Sequence, residues 1–136
     1  GELAARLSGG FQSGFTYPLA TGTDLMSAAL RISMGEEPGD LRPKFNRTAC
    51  ERAIIPEPGL ITCIEGLKEA RDLPGVANIL TMYQVGDIYH CPTSNMGKFG
   101  NILAVADSRR ELNGICKKAL ETIRITTVPE TEKVLT

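Results

Sequence analysis

Ser108 and Glu111 stand three residues apart, just ahead of a run in which Leu112, Ile115, Cys116, Ala119 and Leu120 recur at helical spacing. A serine that accepts from an amide one turn on, and a glutamate that reaches back, together satisfy donors that the start of a helix leaves unpaired. The apolar residues then fall on one stripe, so the spacing predicts an amphipathic helix that must bury that stripe against a flat partner. β-prone runs flank it at 101–106 (NILAVA) and 123–128 (IRITTV). A helix packed on the strands beside it is the repeating unit of an α+β domain.

The remaining chain extends the pattern. Thr23 is placed as the N-cap of an earlier helix, with Asp24 at the positive end of its dipole, Leu25, Ala28, Ala29 and Ile32 on one stripe, and Gly35 closing it. Residues 36–43 (EEPGDLRP) read as a connector. In 47–54 (RTACERAI), Ala49, Glu51 and Ala53 share one face of a strand, and Thr48, Cys50, Arg52 and Ile54 share the other. A second strand is expected at 59–64, then a short helix carrying Leu67, Ala70 and Leu73 that Pro74-Gly75 stops. The runs 76–85 and 88–91, divided by Gly86-Asp87, read as an antiparallel hairpin. The whole is an α+β fold with a mostly antiparallel sheet and two to three helices packed on one face. Its divisions are a glycine-rich loop over 1–22, the α+β body over 23–127 and a polar tail over 128–136, expected to fray.

Composition excludes several functions. With 136 residues, of which 42% are hydrophobic, the chain can hold a core without staples. Fifteen basic residues against sixteen acidic ones give a net charge of −1 and no patch for nucleic acid or an anionic membrane. No apolar run is long enough to span a bilayer, and no secretory signal is present, so the cytoplasm is the expected location. Cys50, Cys63, Cys91 and Cys116 show no CxxC pairing and read as buried free thiols.

Among side chains with chemistry, Glu2, Arg6 and the Gly9-Gly10 pair are the most concentrated. A carboxylate, a guanidinium four residues on and glycines that let backbone approach a ligand suit a metal-bound anion and phosphoryl transfer. The same spacing also suits an exposed ion pair beside a turn. His90 is the single histidine, which excludes a multi-histidine metal site, and reads as a core or edge residue; its neighbour Cys91 would point to the opposite face of a strand, so the two cannot form a Cys–His nucleophile pair. The loop with Ser94, Asn95 and Lys98 could hold an anion, or serve as a connection shaped by its glycines.

The opening ELAARLSGGF resembles the last catalytic segment of ATP-grasp carboxylate–amine ligases. In that segment a glutamate binds Mg²⁺ and an arginine four residues on contacts the phosphoryl or acyl-phosphate group, roles the resemblance gives to Glu2 and Arg6. It implies phosphate or carboxylate binding at Ser8, Gly9 and Gly10. The stretches TDLMSAALRISMGEEP, PGLITCIEGLKEARDLPGVANILTMYQVGD and GKFGNILAVADSRRELNGICKKALETIRI resemble the C-terminal lobe of the L-amino acid ligase branch. Carbamoyl-phosphate synthases and biotin carboxylases are similar at a greater distance, and their asparagine two residues after the metal glutamate is Ala4 here.

The resemblance implies ATP and Mg²⁺ as cofactors of a longer enzyme. Its partners would be an upstream ATP-grasp core in the same polypeptide and small carboxylate and amine substrates. Gly1, with no methionine before it, reads as the cut edge of that longer ligase, and the isolated chain is expected to be inactive. The rival expectation is a self-contained α+β module for binding or homodimerisation, in which Glu2 and Arg6 are an exposed pair.

Overall fold

The computed structural model describes residues 6–94 and 97–129. Six strands and four α-helices make an α+β fold with two three-stranded antiparallel sheets. In the first sheet β1 (Thr48–Ile54) and β3 (Val76–Thr81) flank a central β5 (Gly100–Ala106). In the second, β4 (Ile88–Tyr89) and β6 (Arg124–Val128) flank β2 (Gly59–Glu65).

The capping-box helix is α4 (Arg109–Thr122), with Ser108 Oγ accepting from Glu111 N at 3.2 Å. Glu111 reaches back to the amide of Asp107, one residue before the cap. The stripe of α4 packs on β1 and β5 and meets α3 (Leu67–Arg71) at its side. One core joins both sheets and these helices, through Ile54, Ile61, Ile79, Tyr89, Phe99, Ile102, Leu112 and Cys116. β5 is its spine, because a central strand covered on both faces has no solvent side to keep polar. Gly66 lets β2 enter α3: its φ is +76°, and a side chain there would strike the Thr122 carbonyl at the end of α4.

Three expectations are corrected. The hairpin over 76–91 does not form, since β3 pairs with β5 and β4 with β2. The Gly86-Asp87 turn docks on β2 instead: Gly86 N donates to Ile61 O and Ile61 N to Asp87 O, both at 2.9 Å. Those bonds carry the chain from one sheet to the other.

Second, the loop expected over 1–22 is helical where it is described beyond Phe11, a π-helical turn at Gln12–Thr16 running into α1 (Tyr17–Thr21). Pro18 sits in the first turn of α1, where its missing N–H costs nothing, and Gly22 closes α1 at φ +75°. Third, α2 (Leu25–Ser33) is capped by Asp24 rather than Thr23. Asp24 accepts from Ser27 N at 2.9 Å and from Ser27 Oγ at 2.6 Å, while Thr23 is buried with its hydroxyl turned to Arg42 O. Only Ala28 of α2 is buried; Ile32, placed by its spacing on the buried stripe, is 57% exposed.

Candidate functional site

The faces read from 47–54 decide where the site lies. Cys50 and Ile54 turn toward α4 and the core, so Glu51 turns to the opposite face of β1. On that side β1 and β5 meet the π-helical turn and α1. Leu103, which pairs with Glu51 across the sheet, is fully buried there without belonging to the main core.

Between the N-terminal segment and β1 opens a cleft of about 580 Å³, with Arg6, Ser8, Gln12, Tyr17, Cys50 and Glu51 among its walls. Ser8, Gly9 and Gly10 form an exposed turn at its rim. Gly10 has φ +62°, and a side chain added at Gly9 would meet nothing within 4 Å. Among the described residues the N–H groups of Gly9 and Gly10 find no acceptor, which leaves two donors for an anion. Ser8 Oγ lies 2.5 Å from Gln12 Oε1, and Ser13 Oγ donates to Ser8 O at 3.1 Å, so the turn is braced from the helix that follows.

Glu51 fastens this turn to the sheet. Its Oε2 accepts from Phe11 N at 3.4 Å, and its Oε1 accepts from Lys98 Nζ at 3.1 Å. Both side chains are about four-fifths buried, at 18% and 21% exposure. The pair cancels its own charge. Arg6 is different: it is exposed, and among the described residues it donates only to the neighbouring Leu7 carbonyl, at 3.2 Å. The cleft wall therefore presents one uncommitted cation, and the exposed Gly9-Gly10 turn follows directly on Ser8, which lines it.

Arg6 and Ser8 line one cleft, and Gly9 and Gly10 follow Ser8 in an exposed turn without being among the cleft's walls, whereas Glu2 lies outside the described residues. His90 and Cys91 are both exposed beyond the end of β4. Lys98, in the loop that could hold an anion or serve as a connection, is committed to Glu51, and Asn95 lies outside the described residues. Lys117 pairs loosely with Glu121 on the open side of α4, at 3.8 Å. Glu51 is the residue that sequence reasoning passed over. Its signal was a carboxylate between Ala49 and Ala53 on one strand face, where small neighbours leave room for another segment to lie against it.

The fold is that of the C-terminal portion of ATP-grasp enzymes. It matches the crystal structure of L-amino acid ligase from Bacillus licheniformis with a TM-score of 0.74 and 23% identity, over 91% of this chain and 31% of that one. Phosphoribosylglycinamide synthetase from Anaerococcus prevotii matches with a TM-score of 0.73 and 14% identity, over 83% of this chain and 30% of the other. The family profile of L-amino acid ligase C-terminal domain 2 covers residues 52–128, more than half of the chain, and the chain belongs to that family. The uncharacterised protein y4rH of Sinorhizobium fredii is 29% identical over 106 residues, 77% of this chain and 22% of that protein. The chain therefore spans less than a third of the proteins it matches.

Proposed function

We propose that this chain is the C-terminal part of a cytoplasmic ATP-dependent ligase that joins a carboxylate to an amine through an acyl phosphate. In the complete reaction a carboxylate oxygen takes the terminal phosphoryl group of ATP, and the amine nitrogen displaces phosphate to leave an amide. One observation carries the reading: in a member of the L-amino acid ligase C-terminal family, Arg6 and Ser8 line one cleft and the exposed Gly9-Gly10 turn follows directly on Ser8. Arg6 neutralises the charge that gathers on the transferring phosphoryl group, and the Gly9 and Gly10 amides hold its oxygens or those of the substrate carboxylate. Because these donors are fixed before the reaction, they stabilise developing charge without having to reorganise.

Magnesium, when bound, would neutralise phosphate oxygens. Its ligands would be Glu2 and carboxylates of the upstream core, as the resemblance of the opening segment to the ATP-grasp catalytic segment implies. The surface supports such a core. On α2 and at its C-cap, Met26, Leu30, Ile32 and Met34 are 47–68% exposed, and Phe15, Tyr17, Leu41 and Phe45 add to the same N-terminal half. Apolar exposure on this scale suits a face that a partner covers.

The reading is tested on the complete polypeptide by following phosphate release across a panel of amino acids. Release that needs ATP, Mg²⁺ and an amino-acid pair, with none from the 136-residue chain alone, bears it out; release from the chain alone overturns the fragment role. A second reading, a self-contained dimerisation module, draws on one feature. Leu60 faces Ile88 and Val128 across the second sheet, and all three are 38–44% exposed. Sedimentation of the isolated chain separates the two, because a module dimerises and a lobe lacking its core has no specific dimer to form. No described helix is long and apolar enough to cross a membrane.

A further inference from the structure

Cys50 and Cys116 are 66 positions apart in sequence, yet their Sγ atoms lie 3.3 Å from each other. One sits on β1 and the other on the buried stripe of α4, so their approach is set by the same packing that builds the core. Both are free thiols. They differ in access. Cys50 is partly exposed as a residue, whereas Cys116 is 1% exposed. A disulfide requires sulfurs about 2.05 Å apart, so the pair needs only about a further ångström of approach, within reach of small side-chain rotations.

We propose that Cys50 and Cys116 form a thiol modification site that reacts with a small disulfide of the glutathione class and closes into a cross-link between β1 and α4. In the first exchange the Cys50 sulfur attacks one sulfur of the oxidant. The oxidant's S–S bond breaks, a mixed disulfide forms on Cys50, and the released thiolate takes up the Cys50 proton. In the second, the Cys116 sulfur attacks the Cys50 sulfur and expels the remaining small thiol, which takes the Cys116 proton. Two protein thiols lose two electrons and one small disulfide becomes two thiols. Access sets the order, since Cys50 is the less buried of the two. Burial and the hydrogen bond with Cys116 push the Cys50 thiol up to about 12, so little of it is thiolate at neutral pH and the first exchange is slow.

The experiment incubates the folded 136-residue chain with glutathione disulfide, alkylates the remaining thiols, and maps peptides by mass spectrometry without reduction. The expected result is a Cys50–Cys116 cross-linked peptide lighter by two hydrogens than the two separate thiol peptides, with exposed Cys91 carrying glutathione on its own peptide. In Cys116→Ser the exchange should stop at a mixed disulfide on Cys50. If that variant loses its helical circular dichroism, the wild-type map decides alone. The proposal is overturned if Cys50 and Cys116 are both recovered alkylated after Cys91 has fully reacted. It is equally overturned if Cys50 is linked to Cys63 or Cys91, or if the link forms only in denaturant.

Discussion

Replacing Glu51 by alanine tests how the N-terminal segment is held on the sheet. Removing one member of a fully buried ion pair costs about 3–5 kcal/mol, and an exposed pair contributes about 0–1 kcal/mol. Glu51 and Lys98 are 18% and 21% exposed, so Lys98 left alone regains part of its hydration, and a loss of about 2 kcal/mol is expected. With a urea slope of about 2 kcal/mol/M, the unfolding midpoint falls by about 1 M. Lys98→Met should cost a similar amount, because it strands the carboxylate instead. The double variant removes both charges, and its loss should fall short of the sum of the single losses by about 1–2 kcal/mol. Hydrogen exchange gives a second readout: the Phe11 amide, bonded to Glu51 Oε2, should lose protection in Glu51→Ala and keep it in Lys98→Met. A coupling below about 0.3 kcal/mol with unchanged Phe11 exchange would refute the reasoning, since the pair would then behave as a surface pair.

Other outcomes follow from the same structure. Gly66→Ala should destabilise by more than about 2 kcal/mol, because it combines a positive φ with a side chain driven into the Thr122 carbonyl; an unfolding midpoint equal to wild type would contradict this. Leu112→Ala, at a site 3% exposed between α4 and the sheet, should cost about 2–5 kcal/mol in urea unfolding. Hydrogen bonds from Ser27 hold the Asp24 carboxyl below its ordinary 3.8, so the cap's stabilisation is present above 3.8 and is lost as pH falls through the lower, folded value. Asp24→Asn should flatten that part of the acid limb, as compared by urea midpoints at about pH 5 and about pH 3.

Where local signals agreed with packing, the sequence was enough. The Ser108–Glu111 box, the stripe of α4 and the strands at its two ends are all found within a residue or so of where the pattern puts them. Alternation along 47–54 separated Cys50 and Ile54 from Glu51 correctly. The hairpin over 76–91 was misread because Gly86-Asp87 carries the same residues whether a turn joins neighbouring strands or passes between sheets. The bonds to Ile61 that decide the matter are long-range. The helical turns at Gln12–Thr21 were hidden by Gly14, Pro18 and the flanking Gly22, which read as loop until the Glu51–Lys98 pair and the cleft give the segment a surface to lie on. Glu51 could not be assigned a role from sequence, because its partners Phe11 and Lys98 are 40 and 47 positions away.

The most direct test of the central claim is the turnover number of the complete polypeptide carrying Arg6→Ala, measured as amide product formed with ATP, Mg²⁺ and saturating amino acids. Loss of a donor aimed at developing phosphoryl charge should lower kcat by about 10²–10³. The fold should be unchanged, since Arg6 makes no tertiary hydrogen bond among the described residues. A kcat within about twofold of wild type would contradict the account, because a charge that stabilises the transition state cannot be removed without slowing the step it serves.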